Sequence, residues 1–166
     1  AEIGLSDIAA QTGMEVVIIR PPLIYGPGVK GNFAFMINLL AKKVPLPLAL
    51  IDSNQRSLVS LCNLIDFMAT CAYHPAASGR LFLISDQQDV STAELLSRLA
   101  VAIGTPARLF PVPRSMLKFA ATVTNRYPLY GKLCESLCVD SSAASRLLGW
   151  SPPLDLDEGL RRVVSC

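Results

Sequence analysis

The sequence predicts an α/β fold in which a few parallel strands are combined with a mainly helical later part. Two compact apolar runs, residues 16–20 and 81–85, have the composition of buried strands, and segments with helical spacing of apolar residues lie between and after them. Strands that alternate with helices are typical of parallel pairing. The 166 residues suit one domain and contain no internal repeat or low-complexity linker, so residues 1–166 are treated as one unit.

The first elements follow from apolar spacing and from glycine and proline positions. Residues 1–12 place apolar side chains at helical spacing, and Gly13 ends this helix. A strand over residues 16–20 leads into a turn shaped by glycine and proline, and a helix over residues 33–43 follows. The first quarter of the chain is therefore predicted as helix, strand, turn and helix.

The later elements are identified mainly by their start and stop signals. Ser91 and Glu94 form a capping box that opens a helix to about residue 102, and Gly104 ends it. Asp66 is expected to help start the helix in which it lies. The remaining predicted elements are strands at residues 56–61, 81–85 and 109–112, and helices at residues 64–73, 115–124, 141–148 and 157–164.

Gly26, Gly28 and Gly31 have the G-x-G-x-x-G spacing of a dinucleotide-binding turn. In such a turn a strand runs directly into the first glycine, and backbone N–H groups point at a pyrophosphate. Here five residues separate the predicted strand from Gly26, and Pro27 has no N–H to donate. We therefore interpret the motif as a structural turn and expect no dinucleotide to bind there.

Composition limits the classes of partner. The chain is 51% hydrophobic and 17% charged, yet no uninterrupted apolar run approaches the roughly 18 residues of a membrane helix, so no membrane partner is expected. A net charge of +2, from scattered Lys and Arg, gives no reason to propose nucleic acid. Five cysteines without a C-x-x-C fit a reducing compartment, the cytoplasm. Cys134 and Cys138 lie one helical turn apart, but core packing is favoured over a metal site, and no metal is predicted.

Six blocks of sequence occur in an order and spacing that are similar to a known family. They read RPPLIYGPG at residues 20–28, GNF at 31–33, RSLV at 56–59, NLID at 63–66, LGWSPP at 148–153 and LDEGL at 156–160. Together they resemble the C-terminal half of an extended short-chain dehydrogenase/reductase of the nucleoside-diphosphate-sugar epimerase/dehydratase type. The resemblance covers nearly the whole chain and implies a Rossmann-type enzyme that uses NAD or NADP.

The resemblance also implies which parts of such an enzyme are not in this segment. The family's glycine-rich nucleotide turn would lie upstream, and its catalytic Tyr-x-x-x-Lys would lie on the helix of which residues 1–12 form the tail. No tyrosine in this sequence has Lys four residues later. We therefore expect a substrate-binding part without catalytic residues, inactive alone and without bound cofactor, that self-associates through exposed apolar sheet and helix faces.

Three positions match substrate-binding positions of the family. Arg56 corresponds to an arginine that contacts the diphosphate, with a solvated loop arginine as the alternative. Asn32 corresponds to a position beside the nucleotide, at a helix N-terminus where anions are favoured, with a plain N-cap as the alternative. Lys132 lies where the family often carries another phosphate-binding cation, with Arg126 as a rival. The implied partner is a nucleotide sugar, a UDP-sugar first of all.

Pro21, Pro22 and Leu23 align with the segment that passes the nicotinamide ring of the cofactor. Many relatives have Asn where Leu23 stands, which leaves the reaction subtype open. The resemblance favours a UDP-glucose 4-epimerase-like reaction; the alternatives are a nucleotide-sugar 4-ketoreductase, a 4,6-dehydratase or a non-catalytic nucleotide-binding relative. Tyr25 is expected to pack in the turn rather than contact a ligand, and Trp150 to be a packing anchor with its N–H bonded to backbone.

Overall fold

The computed structural model describes residues 2–28 and 31–164, apart from the side chains of residues 6, 32 and 129. The strands in this part of the chain are β1 (Ile18–Arg20), β2 (Leu23–Tyr25), β3 (Leu58–Ser60) and β4 (Leu81–Leu83). The helices are α1 (Glu2–Thr12), α2 (Asn32–Ala41), α3 (Leu61–Tyr73), α4 (Thr92–Ile103), α5 (Arg114–Val123), α6 (Tyr127–Cys134), α7 (Ser142–Leu148) and α8 (Leu156–Val164).

The four strands form two parallel pairs. Strand β1 pairs with β4, with Ile18 opposite Leu81, and β2 pairs with β3, with Leu23 opposite Leu58. The two prolines between β1 and β2 have no N–H to donate to a ladder, so the chain changes its pairing partner at this point. The predicted α/β class with a few parallel strands is confirmed.

The segment between the strand predicted over residues 16–20 and the helix predicted over residues 33–43 was expected to be a turn, but it contains a second strand, β2. Strand β2 runs directly into Gly26, so the argument that five residues separate a strand from the first glycine is also wrong. The strand was missed because it depends on β3, which lies more than thirty residues further along the chain. A Cβ at Gly26 would lie 2.7 Å from Cβ of Leu61, so the glycine permits close packing against the first turn of α3.

Two elements of the later part also differ from the prediction. Residues 109–112 form no strand: only a single bridge joins Leu109 to Leu46, and prolines at positions 111 and 113 limit further pairing. Helix α6 was not predicted, because Gly131 and Pro128 weaken its local helical signal. Pro128 is accommodated in the first turn of α6, where its missing N–H has no intrahelical partner to lose.

Helix caps account for the starts of α3 and α4. The Ser91 side chain accepts the N–H of Glu94 at 3.1 Å, as the capping box predicts. Helix α3 begins one turn earlier than predicted because the Ser60 side chain accepts the N–H of Asn63 at 3.1 Å. The prediction that Asp66 helps start this helix is wrong, since Asp66 lies in its second turn.

Two apolar clusters form the core. The first joins α2, α4 and α8 around Tyr25, and the second joins α3, α7 and β4 around Phe67. Trp150 lies in the second cluster with its ring centroid 4.9 Å from that of Phe67, so it is the predicted packing anchor. Its indole N–H, however, donates to Oδ2 of Asp66 at 2.8 Å, and the prediction of a backbone acceptor is wrong.

Candidate functional site

A cavity of about 640 Å³ lies between α2, α4 and α6. Most of its wall is apolar, and this is the size range of sites for small molecules. Five of the predicted site residues line it, namely Pro21, Pro22, Leu23, Arg56 and Lys132. The structure therefore brings together the residues assigned to cofactor and to substrate, although they are separated by up to about 110 positions in the sequence.

The sixth predicted residue, Asn32, is the first residue of α2, and its side chain lies outside the described part of the structure. The N-cap of α2 is Gly31, with a φ of 72°, so the alternative assignment of Asn32 as the N-cap is wrong. A positive φ at this position favours glycine over a residue with a Cβ.

The backbone of Arg56 is held from two sides. Its N–H donates to the carbonyl of Val90 at 2.9 Å, and the Val90 N–H donates back to Arg56 at 3.1 Å. The neighbouring Ser57 N–H donates to Leu137, and the Leu137 N–H donates to Gln55, both at 2.9 Å. These bonds hold the backbone at Arg56 between the segment before α4 and the segment after α6, and so position the side chain.

The guanidinium of Arg56 joins the cavity to the end of α6. Its Nη2 donates to the carbonyl oxygens of Lys132 and Glu135, the second at 3.0 Å. Burial lowers the pKa of Arg56 below its ordinary value. The buried Nε has no hydrogen-bond partner among the described residues, which is costly unless a ligand accepts from it. Arg56 thus connects the cavity wall to the end of α6 through Nη2, and its Nε–H has no acceptor among the described residues.

Lys132 places a second positive charge at the same wall. It lies in the last turn of α6 with an exposed side chain, and none of the ion pairs between described residues involves its ammonium. Its rival Arg126 stands at the N-terminal end of α6 and is not among the residues that line the cavity. Of these two cations, Lys132 therefore lies at the wall that Arg56 also lines, and Arg126 does not.

Two buried polar residues that brace this wall were missed from the sequence. Asn54 donates from Nδ2 to Oγ1 of Thr92 at 2.9 Å, and the Thr92 N–H donates to Oδ1 of Asn54 at 3.1 Å. The Thr92 hydroxyl then donates to the carbonyl of Leu133 at 2.6 Å. These bonds hold α6 against the start of α4. Asn54 lies in a polar stretch whose sequence is typical of an exposed loop, so nothing local signals its burial.

Tyr25 and Asp86 form a second buried polar group. Tyr25 was expected to pack in the turn; it lies instead at the end of β2, where it is fully buried and its hydroxyl donates to Oδ2 of Asp86 at 2.6 Å. The Ser60 N–H and the Asn63 side-chain amide donate to Oδ1 of Asp86 at 3.0 and 2.7 Å. Burial raises the pKa of Asp86, against the effect of these three donors, and burial beside Asp86 raises the pKa of Tyr25. This group ties together the ends of β2, β3 and β4.

The described residues contain no group of three or more His, Cys, Asp or Glu side chains placed to hold a metal ion. Helix α6 ends at Cys134, so Cys138 lies beyond it and the two thiols do not share a helix. The spacing that suggested one helical turn therefore has no structural counterpart.

Comparison with solved structures identifies the fold. The UDP-N-acetylglucosamine 4-epimerase from Bacillus cereus superposes with a TM-score of 0.74 at 15% identity, over 96% of this chain and 50% of that chain. The UDP-glucuronic acid 4-epimerase from Bacillus cereus, in complex with UDP-glucuronic acid and NAD, gives 0.69 at 20% identity, over 99% of this chain and 48% of that chain. The fold is that of one half of a Rossmann-type epimerase.

Sequence comparison gives a more specific relative. The UDP-glucose 4-epimerase from Vibrio cholerae is 44% identical over 164 residues, which are 99% of this chain and 50% of that protein. The chain therefore spans about half the length of this curated relative. No protein-family model matches the chain. The predicted resemblance to the C-terminal half of an extended short-chain dehydrogenase/reductase of the epimerase type is confirmed.

Proposed function

We propose that this chain is the nucleotide-sugar-binding portion of an NAD-dependent sugar 4-epimerase, and that the sugar is carried on UDP. The observation that carries the proposal is the meeting of Arg56 and Lys132 with residues 21–23 at the wall of one cavity. The 44% identity to a UDP-glucose 4-epimerase supports the assignment of the reaction. The roles of the individual residues rest on their positions in the cavity and on the family resemblance.

The charges at the wall suit a diphosphate. A guanidinium with an unsatisfied N–H and a nearby ammonium provide charge-assisted donors, the strongest kind available to bind phosphate oxygens. The mainly apolar remainder of the cavity would surround the less polar parts of the ligand and exclude water. In this proposal Arg56 and Lys132 hold the diphosphate, and Asn32 lies beside the nucleotide at the start of α2.

In this proposal the cofactor would contact this chain only at the part of the cavity wall formed by residues 21–23. When bound, NAD or NADP supplies hydride transfer to and from the sugar. Pro21, Pro22 and Leu23 are apolar and line the cavity, so they fit the flat face of a nicotinamide ring. The glycine turn that follows does not fit a pyrophosphate, because Pro27 has no N–H and Gly26 is packed against Leu61. The chain therefore orients the ring end and leaves the rest of the cofactor to other residues.

Titration of the full-length protein with UDP-glucose by calorimetry tests the diphosphate site. Lys132→Ala removes an ammonium that forms no ion pair with a described residue, and we expect affinity to fall by roughly five- to tenfold. Arg56→Ala should cost roughly ten- to a hundredfold, with cofactor binding close to normal. Arg126→Ala is the matched control and should leave the affinity unchanged. Normal affinity in both cavity variants would contradict the proposal.

Product analysis separates the proposed reaction from its alternatives. A 4-epimerase interconverts UDP-glucose and UDP-galactose without net consumption of NADH, whereas a 4-ketoreductase consumes reduced cofactor and a 4,6-dehydratase releases water. No contact in the described part of the chain favours either alternative or a non-catalytic role. Release of a deoxy sugar, or stoichiometric oxidation of NADPH, by the full-length protein would replace the epimerase assignment.

We also propose that the protein acts in the cytoplasm. Cys62, Cys71, Cys134 and Cys138 are all free thiols, which fits a reducing compartment. Alkylation of the protein in intact cells, without prior reduction, should modify the exposed Cys138. Protection of Cys138 that is relieved only by a reductant would indicate an oxidising compartment.

A further inference from the structure

Helix α5 turns an apolar face to solvent. Met116, Phe119 and Val123 are 61%, 72% and 70% exposed, and their spacing places them on one side of the helix. None of the ten residues of α5 is buried. Leu117 and Arg114 lie on the opposite side, where Nε of Arg114 donates to the carbonyl of Leu50 at 3.4 Å. The most apolar side of α5 therefore points away from the protein, which is unfavourable in water.

The stretch of sequence that contains α5 carries positive charge only. Residues 99–134 contain five basic residues and no Asp or Glu, the basic residues being Arg108, Arg114, Lys118, Arg126 and Lys132. None of these five forms an ion pair with a described residue. Glu135 is the first acidic residue after this segment. An apolar stripe set in a purely basic segment calls for a partner that is apolar and anionic at once.

We propose that the outward face of α5, defined by Met116, Phe119 and Val123, docks on the surface of an anionic phospholipid membrane. The helix would lie in the plane of the interface, with its apolar side chains at the boundary of headgroups and acyl chains and with the charges of Lys118 and Arg126 attracted to the anionic headgroups. No helix in the described part of the chain is long and apolar enough to cross a membrane, and an interfacial helix needs no such length. The expectation of no membrane partner was based only on the lack of an apolar run long enough to span a membrane.

Charge argues for a membrane over the other occupants of such a face. A second copy docked through the same stripe would bring its own Lys118 and Arg126 towards the same two cations of the first copy, which is repulsive. A nucleic acid would satisfy the charges but leave the apolar stripe without a partner, since its affinity comes mainly from phosphate contacts. An anionic bilayer offers acyl chains to the apolar stripe and negatively charged headgroups to the basic residues. An acidic protein groove remains as an outcome of the test.

The position of α5 connects docking to the candidate site. Helix α5 packs against α6, and α6 lines the cavity with Gly131 and Lys132. Docking would therefore hold the cavity close to the membrane surface. This inference rests on exposure and charge alone and stands whether or not the epimerase assignment is correct.

Co-sedimentation of the full chain with vesicles tests the proposal. We expect binding to phosphatidylcholine vesicles that contain phosphatidylglycerol, weak binding to pure phosphatidylcholine, and release at high salt. Phe119→Asp should lower the partition coefficient by at least roughly tenfold, because it replaces the most exposed apolar side chain of the stripe. Tyr73→Asp is the matched control, since Tyr73 is 90% exposed on α3, outside the stripe, and it should leave binding unchanged.

A second, milder variant tests the proposal even if Phe119→Asp misfolds. Lys118→Ala is a mild change on an exposed helix position, and it should weaken binding to the anionic vesicles severalfold and to the neutral ones very little. The proposal is overturned if the unmodified chain does not sediment with anionic vesicles, or sediments equally with neutral ones. It is also overturned if vesicles do not bind and Phe119→Asp converts a dimer to a monomer in light scattering, or abolishes binding to an acidic protein.

Discussion

At the scale of single residues, the buried pair of Tyr25 and Asp86 is the interaction with the most consequences. Asp86 is 2% exposed and accepts from Tyr25, from the Ser60 N–H and from the Asn63 amide. Asn63 also bonds to the backbone of Leu154, with its Nδ2 donating to the carbonyl at 2.8 Å and its Oδ1 accepting the N–H at 3.0 Å. One carboxyl group therefore organises the ends of three strands and the approach to α8.

Replacing Asp86 should show this role directly. Asp86→Ala leaves three buried donors without their acceptor, and we expect a loss of about 3 kcal/mol or more in the free energy of unfolding. Asp86→Asn keeps one acceptor and can donate to the Tyr25 oxygen, so its loss should be clearly smaller. Urea unfolding of both variants measures the difference. Equal losses would mean that the hydrogen bonds of Asp86 matter less than its volume.

The buried Asp86 should make the free energy of unfolding depend on pH. Burial raises the pKa of Asp86 in the folded state above the value in the unfolded chain, so the folded protein binds this proton more tightly. The stabilisation from this group is present below the unfolded pKa and is lost as pH rises through the folded pKa. Urea unfolding from about pH 4 to pH 7 should show this loss in the unmodified chain and a flatter profile in Asp86→Asn. Parallel profiles would assign the pH dependence to other groups.

Gly159 provides a second prediction at this scale. A Cβ at Gly159 would lie 2.9 Å from Cε2 of Tyr25 and closer still to its hydroxyl oxygen. We expect Gly159→Ala to lower the free energy of unfolding by about 1–3 kcal/mol, because the buried Tyr25 ring cannot move aside without leaving Asp86. Gly4→Ala is the control: no atom lies within 4 Å of its Cβ, and the change should stabilise α1 slightly. Thermal unfolding distinguishes the two.

At the scale of elements, α4 and α6 show opposite relations between local sequence and structure. Helix α4 begins at its predicted cap and ends at Gly104, which has a φ of 75° in the left-handed region. Helix α6 has no side-chain N-cap and contains Gly131 and Pro128. It is stabilised by two side chains outside it: Asn54, before α4, and Thr92, the first residue of α4, both donate to the carbonyl of Leu133 near the C-terminal end of α6. Local signals define α4, whereas tertiary contacts define α6.

The cap of α4 can be tested by removing one hydroxyl. Ser91→Ala leaves the N–H of Glu94 without its acceptor, and we expect a loss of about 1 kcal/mol. Ser97→Ala removes a hydroxyl from an exposed position inside the same helix, where alanine is the better helix former, and should be neutral or slightly stabilising. Urea unfolding of the two variants compares a capping with a non-capping serine. A similar change in both would mean that the cap contributes little.

At the scale of the whole molecule, the described chain exposes surfaces typical of a sheet that continues. Two separate pairs of parallel strands are unusual, because parallel sheets are normally larger and covered on both faces. Helix α3 turns Leu61, Ile65 and Met68 outward, with exposures of 38%, 57% and 54%. These features agree with a chain that spans about half of its relatives. They also make association of the 166-residue chain a specific expectation.

The outward face of α3 should drive that association. In the 166-residue chain expressed alone, Ile65→Lys combined with Met68→Lys should shift the sedimentation distribution towards the monomer, because both changes place charge on the apolar face. Val101→Lys, at a position that is 79% exposed on α4, is the control and should have little effect. An unchanged distribution in the double variant would indicate that another face, or none, mediates association.

The sequence suggested individual residues for the candidate site but not the shape of the cavity. Arg56 and Lys132 were assigned by resemblance, and the structure places both at one cavity while leaving Arg126 outside its lining. The carbonyl contacts of Arg56 and the supporting role of Asn54 depend on residues about eighty positions away. No local pattern in the sequence encodes such pairings.

The sequence by itself determined the α/β class, the caps of α4, the approximate positions of most helices and the family resemblance. Each of these depends on residues within a few positions of one another or on the order of short motifs. Only the tertiary structure decided that β2 is a strand, that the Trp150 N–H meets Asp66, and that Asp86 is buried beside Tyr25. The physical reason is that a short strand and a buried polar group become stable only when a distant partner supplies their hydrogen bonds.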